Sequence, residues 1–415
     1  MRRGLSLSNQ VLVALPAGVV FGYAFPRAGA FVKPLGELFI SLINMILVPV
    51  VLTAVVSAVA QLKEVRRVGR VGSIALLFTV AVNLVAAVFG LAAGILAHPA
   101  AGVALPLQQP AGSVVRVSVV SIIMSIVPSN IFAALSQGEI LPILFFSVLL
   151  GLAIISLGER GSALANFFAV ARDAVFVVVG WIMRTAPLGV FALMAATVAS
   201  QGSQVLLALL RFLLVIWSAC ILWLVLFQSA LVKFVLRINV TGFYKAMSEV
   251  ALIGFTTCSS AATVPINMKH THERLGVSRP VAEFIIGLGA TTTGRAGSCI
   301  YSAIAVAFAA GLYGVKFGFV QFLSTSLLIV LIWLGGTGIP GGATILMTAV
   351  LKGVGLPLAP VALMMSVDRL RDMIITMTNV LLQSSTAAVC AVLAGEKLTL
   401  VTASEKPAAT VRAGA

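Results

Sequence analysis

The feature that most constrains this chain is the recurrence, along nearly its whole length, of apolar runs separated by short polar turns. A helix of roughly 20 apolar residues crosses the hydrocarbon core of a bilayer, where every backbone polar group must be satisfied internally. The 415 residues are 60% hydrophobic and 9% charged, with a mean hydropathy of +1.14. A soluble fold has more polar surface than this to offer water, so the chain reads as an all-α polytopic membrane protein with the lipid bilayer as its first partner.

The formal net charge of +15 does not point to nucleic acid. Arg2, Arg3, Lys63, Arg66, Arg67, Arg70, Lys233, Arg237, Lys245 and Lys269 cluster in short loops between apolar runs, the pattern of cytoplasmic loops. Both termini are accordingly expected in the cytoplasm of a cell whose inner membrane holds the protein. Met1 to Gln10 leads directly into a first span, with no cleavable signal evident. Cys220, Cys258, Cys299 and Cys390 form no CxxC pair; His98 reads as a loop residue and His270 and His272 as members of a solvated basic turn. These spacings support neither a metal site nor a disulfide framework, and no nucleophile–base pair suggests an enzyme. No cofactor is expected.

Val11 to Phe25 and Leu35 to Ala60 read as the first two spans, the second carrying Asn44 and a kink at Pro49. Ser73 to Leu96 is a third, and Val117 to Leu157, interrupted by Pro128, Gly138 and Pro142, a fourth built in pieces. Asn166 to Ala199 and Leu206 to Leu236 follow as the fifth and sixth.

The second half changes character. Gly242 to Arg274 is split by TTCSSAATVP (Thr256 to Pro265) into arms too short to cross, so it reads as a re-entrant hairpin tipped by Ser259 and Ser260. Phe319 to Gly355 repeats the design around GGTGIPGGA (Gly335 to Ala343). Each hairpin precedes a span with a polar middle, Val281 to Gly311 and Val361 to Leu393. Paired Gly/Pro-interrupted segments of this kind mark an inverted repeat and the binding site of a transporter.

Within Val281 to Gly311 the stretch GATTTGRAGSCIY (Gly289 to Tyr301) sets small residues around Arg295. A central arginine costs about 2.5–3.5 kcal/mol on insertion scales, so it must face protein or water. Small residues let the helix unwind and expose carbonyls, which membrane depth tolerates only where backbone lines a cavity. In the last span Asp368, Asp372, Thr376, Asn379, Gln383 and Thr386 recur every three or four residues and form one polar stripe, with Ile375 as its large apolar member. Two carboxylates in an apolar span need cations, and Arg295, Arg369 and Arg371 are candidates. The simplest functional reading gives a substrate ammonium to Asp372 and a carboxylate to the backbone N–H groups of the hairpin tips, the two groups of an amino acid.

These stretches make the chain similar to the dicarboxylate/amino acid:cation symporters, the glutamate transporter homologues. The similarity runs through VPSNIFAALSQGEILPILFFSVLLGLAI (Val127 to Ile154), APLGVFALMA (Ala186 to Ala195) and SSAATVPINM (Ser259 to Met268). It continues through LGAT (Leu288 to Thr291), GIPGGATIL (Gly338 to Leu346), GVGLPL (Gly353 to Leu358) and the stripe from Asp368 to Asn379. The resemblance implies eight transmembrane helices plus two re-entrant helical hairpins in a homotrimer. Residues 1–70 and 113–203 would form a rigid scaffold, residues 71–112 and 204–394 a transport domain sliding as an elevator, and residues 395–415 a cytoplasmic tail. It also implies substrate contacts at Ser259, Ser260, Thr291, Ile339, Pro340, Gly341, Asp372, Thr376 and Asn379, with Asp372 on the amino group and Asn379 on the α-carboxylate.

Several positions depart from the family pattern. Ile375 and Cys258 stand where relatives carry arginine, which makes a neutral amino acid the simpler substrate, although Arg295 could still engage an acidic amino acid or a dicarboxylate. Where relatives have NMDGT, with oxygens that coordinate sodium, this chain has Gly294, Arg295, Ala296, Gly297 and Ser298, and Gln383 replaces a second sodium-binding aspartate. Sodium prefers several hard oxygen ligands with negative charge. The expectation is therefore a sodium-independent secondary transporter, proton-coupled or exchanging, in which Arg295 stands in for bound cations. Glu283 and Asp368 are the remaining candidates for ion coupling. The alternative is a channel-like or substrate-sensing protein on the same scaffold.

Overall fold

The computed structural model describes residues 7–67, 70–102, 127–201, 204–289, 294–334 and 342–400. Every regular element among them is helical. The first group is α1 (Leu7–Ala24), α2 (Pro26–Phe31), α3 (Lys33–Arg67) and α4 (Arg70–Ala97). Pro26 opens α2, where its missing N–H costs nothing. Pro49 does not end α3, which runs through it as one helix.

Next come α5 (Ile131–Gln137) and α6 (Ile140–Ser156), divided by Gly138, whose φ of 63° closes α5 with a left-handed cap. Then follow α7 (Ser162–Arg184), α8 (Ala186–Gln201) and α9 (Gln204–Leu222). The stretch Asn166 to Ala199, expected as one span, is thus divided at Thr185. Pro187 restricts the residue before it and fits only the first turn of a new helix. Beyond α9 the chain continues through two π-helical segments, Trp223–Gln228 and Leu231–Val235.

The remaining helices are α10 (Val240–Ala246), α11 (Ser248–Thr257), α12 (Ser260–Glu273), α13 (Arg279–Gly289), α14 (Ala296–Leu312), α15 (Phe319–Leu334), α16 (Gly342–Gly353), α17 (Ala359–Ser366) and α18 (Asp368–Leu393). Both expected hairpins are helix pairs, α11 with α12 and α15 with α16, packed on one another. The two polar spans are broken as well. The seventh divides into α13 and α14, as its glycines and threonines suggested, and the last divides at Val367 into α17 and α18. By length and composition, five helical segments among the described residues are able to cross a membrane: Pro26–Ala60, Gly72–Ala97, Gly158–Arg184, Leu206–Val235 and Asp368–Leu393.

Two packing groups emerge. In one, α3 lies against α6, α7 and α8, and α8 also packs along α1. In the other, α18 is surrounded by α4, α9, α11, α12, α13 and α14. Glycine brings α4 and α14 close, since a Cβ on Gly90 would stand 2.7 Å from the Ile300 Cα. Van der Waals contact at that range replaces the hydrophobic drive that lipid cannot supply.

Candidate functional site

The site is assembled where three local breaks meet α18. The first is the tip of α11 and α12. Cys258 takes a left-handed conformation (φ 53°, ψ 36°) that ends α11, and extended Ser259 caps α12, its Oγ accepting from the Ala262 N–H at 3.2 Å. Ser260 is buried beside it. The Arg369 guanidinium donates to the carbonyls of Thr256 (2.7 Å) and Thr257 (3.2 Å), the exposed negative end of α11. The first hairpin is thereby tied to the start of α18.

The second break precedes α14. Gly294 has φ +67°, and a Cβ there would stand 2.5 Å from Gln383 Cγ. At Gly297 a Cβ would stand 2.7 Å from the Ile375 carbonyl oxygen and 3.1 Å from Asn379 Oδ1. Only glycine allows this approach, and it brings the backbone of α14 onto the polar face of α18. Asn379 then holds Ser298 from both ends: its Nδ2 donates to Ser298 Oγ at 2.9 Å and its Oδ1 accepts from the Ser298 N–H at 3.4 Å. Arg295, 2% exposed, lies between Gly294 and Gly297 against this surface, with Gln383 fully enclosed nearby.

The third meeting is with α16. Thr344 Oγ1 donates to Asp368 Oδ1 at 3.5 Å, while Asp368 pairs with Arg371. Arg371 is 1% exposed and lies face-on to Tyr301 of α14, its guanidinium carbon 3.8 Å from the ring centroid. Asp372 is partly buried and accepts a long hydrogen bond, 3.5 Å, from Thr376 Oγ1.

The structure therefore brings together Ser259, Ser260, Arg295, Asp368, Asp372, Ile375, Thr376, Asn379 and Gln383 on or beside α18. Thr291, Ile339, Pro340 and Gly341 lie outside the described residues. Glu283 does not join the cluster: its side chain is half exposed and pairs with Arg279 at 2.7 Å. A group that accessible, already matched four residues away on α13, is a surface ion pair rather than a carrier inside the site. Asp368 obtains its counter-charge from Arg371 on its own helix, a pairing the stripe left open among several arginines.

Sequence reasoning missed a second polar network. Asn267 of α12 donates from Nδ2 to the Val380 carbonyl (3.2 Å) and accepts at Oδ1 from Ser384 Oγ (2.7 Å) and Thr271 Oγ1 (3.1 Å), all of it buried. Gln228, in the first π-helical segment, donates to the Leu381 carbonyl at 3.2 Å. The only available signal was an amide inside an apolar run, which marks a buried partner without naming it. No group of three or more His, Cys, Asp or Glu side chains able to hold a metal occurs among the described residues.

The profile of the sodium:dicarboxylate symporter family matches residues 7–393. The chain belongs to that family. It is 30% identical over 399 residues to the proton/sodium-glutamate symport protein of Bacillus caldotenax, covering 93% of this chain and 94% of the relative. The protein of the same description from Geobacillus stearothermophilus matches equally, 30% over 399 residues. That of Bacillus subtilis (strain 168) is 30% identical over 385 residues, covering 90% and 89% of the two chains. Membership makes this sodium:dicarboxylate symporter homologue a multi-pass membrane transport protein and not an enzyme.

Proposed function

We propose that this member of the family is a secondary active transporter of a small amino acid, independent of sodium, in which Arg295 supplies the positive charge that bound cations supply in relatives. Asp372 holds the substrate ammonium, Asn379 and the hairpin tips hold the α-carboxylate, and Thr376 positions Asp372. The observation that carries the reading is the close approach of Gly294 and Gly297 to Gln383, Ile375 and Asn379, with Arg295 between the two glycines only 2% exposed. A cation enclosed in low dielectric repels a second cation strongly over a few ångströms. Gln383 adds no charge to offset that repulsion.

The transport step is an elevator movement of the group built around α18 against the group built around α3, in a homotrimer. That α3 and α18 each gather a different set of helices supports it. A neutral substrate is favoured, because Ile375, an enclosed aliphatic group, and Cys258 supply no positive charge for a side-chain carboxylate.

Purified protein in liposomes tests the coupling. Uptake of labelled amino acid should change less than about twofold when an inward sodium gradient is replaced by potassium, and should respond to a proton gradient or to substrate inside. Accumulation that requires the sodium gradient would overturn the reading.

A further inference from the structure

A groove of about 410 Å³ runs between α4 and the two π-helical segments that follow α9. Phe78, Val82 and Val85 of α4 form one wall, and Phe227, Leu231 and Phe234 form the other. It reaches inward to Leu382 of α18 and to Gln228, which are 2% and 1% exposed. Single apolar side chains facing outward need no explanation. A recess that reaches the central helix of its packing group does.

The groove follows from the local backbone. A π turn is wider than an α turn and recurs at functional positions. The carbonyls it frees are taken by neighbours. Tyr244 Oη of α10 donates to the Leu224 carbonyl at 2.5 Å, and Ser229 Oγ donates to the same oxygen at 3.0 Å. Gln228 fastens the first π-helical segment to the Leu381 carbonyl of α18 at 3.2 Å. Trp223 and Phe227 stack with ring centroids 4.6 Å apart, and Phe89 of α4 meets Phe227 edge-on at 5.3 Å. The walls are held in place before any ligand arrives, which spares the ordering cost of binding.

Charge is placed at one end only. The segment Leu206–Val235 is long and apolar enough to cross a membrane, so the groove within it lies at hydrocarbon depth. Lys233 and Arg237 stand at the end of that segment, at the depth of lipid headgroups, and both are exposed. The Lys233 ammonium lies 5.5 Å from the ring centroid of Phe234, which itself lines the groove. Arg237 closes the helical stretch four residues later with φ 55°. Among the described residues neither cation is paired with a carboxylate. An apolar slot that runs up to two such cations is the complement of a hydrocarbon chain with an anionic head.

We propose that this groove is a binding site for an anionic phospholipid of the bilayer. One acyl chain lies between α4 and the π-helical segments, and Lys233 and Arg237 hold the phosphate. A free phosphate would engage the cations and leave the slot unused. The site belongs to the helices packed around α18 and is independent of which substrate the protein carries.

Native mass spectrometry of the full-length protein, delipidated in detergent and titrated with palmitoyl-oleoyl phosphatidylglycerol or the matching phosphatidylcholine, tests it. The wild type should retain phosphatidylglycerol at about tenfold lower lipid concentration than phosphatidylcholine. Lys233→Gln with Arg237→Gln should weaken phosphatidylglycerol binding about tenfold to 30-fold, the size expected for two basic side chains at an anionic surface, and erase the preference. Arg160→Gln with Arg184→Gln removes the same charge from exposed positions on the group around α3 and should change binding less than about twofold, because distant surface charges are screened. Ala230 and Val85 line the groove from its two sides. Ala230→Trp and Val85→Trp leave both cations in place and should each weaken phosphatidylglycerol binding at least about fivefold, since the added ring takes the room of several methylenes of the chain. Equal retention of the two lipids by the wild type, or an equal loss in the Arg160 and Arg184 pair, would overturn the headgroup assignment. Unchanged binding in both tryptophan variants would overturn the groove as the seat of the chain.

Discussion

Helices α7 and α18 are both long enough to span a bilayer, yet they solve the problem in opposite ways. In the span containing α7, 11% of the best apolar window is buried inside the protein, against 89% for α18. The more enclosed helix is the less apolar of the two. α7 turns Phe176, Val179, Ile182 and Met183 inward and leaves Phe167, Val170, Val177 and Trp181 exposed. Around α18 protein is packed on nearly every side, so its Thr378, Ser384 and Ser385 find carbonyls on the preceding turn and Asn379 finds Ser298. In lipid, apolarity reports contact with the bilayer and polarity reports contact with protein, the reverse of the rule in water.

Substitutions at the two helices should differ accordingly. Asp372→Ala should have the largest effect, weakening amino-acid binding by at least about 30-fold, because removing one partner of an enclosed charge pair costs about 2–5 kcal/mol. Undiminished affinity in direct binding would remove Asp372 from the site. Gly297→Ala comes next. Its methyl would stand 2.7 Å from the Ile375 carbonyl oxygen, a backbone atom that cannot swing away. Overpacking of this kind costs about 1–3 kcal/mol, and a lower Tm together with weaker binding should follow.

Phe167→Ala on the open face of α7 should shift Tm little, since surface changes usually stay within about 0.5 kcal/mol. A loss as large as that of Gly297→Ala, accompanied by dissociation in detergent, would show that a second copy of the chain covers this face. The smallest effect concerns His270, which is not the solvated turn residue its basic neighbours suggested but a buried one on α12, beside Glu249. Burial holds its pKa below the usual value, Arg274 pushes the same way and Glu249 opposes. Its neutral form is the one the fold accommodates, so its contribution is present above the unfolded pKa of about 6.5 and is lost as pH falls below that value. Tm should therefore decline somewhat more steeply on acidification in wild type than in His270→Gln.

Much of the architecture was legible before any coordinates. Hydropathy is local, and both helix pairs and the break before α14 lie where Gly, Pro and Thr interrupt apolar runs, whereas the break at Val367 falls in a stretch with none of them. The division at Thr185 was missed because the apolar pattern continues across Pro187 undisturbed. Asp372 and Asn379 stood out as polar residues at helical spacing. Arg371 did not, because Arg295, Arg369 and Arg371 look alike in a linear string, and each could balance Asp368.

The amino-acid order by itself determined that this chain lives in a bilayer, that it is helical, and where the glycine- and proline-rich breaks fall, since each depends on residues within a turn or two of one another. What each charge does was decided by tertiary structure. Arg369 closes the end of α11 and Arg371 stacks on Tyr301, seventy positions away in the chain. Burial and stacking are properties of neighbours, and in a bundle of crossing helices the neighbours come from distant parts of the sequence.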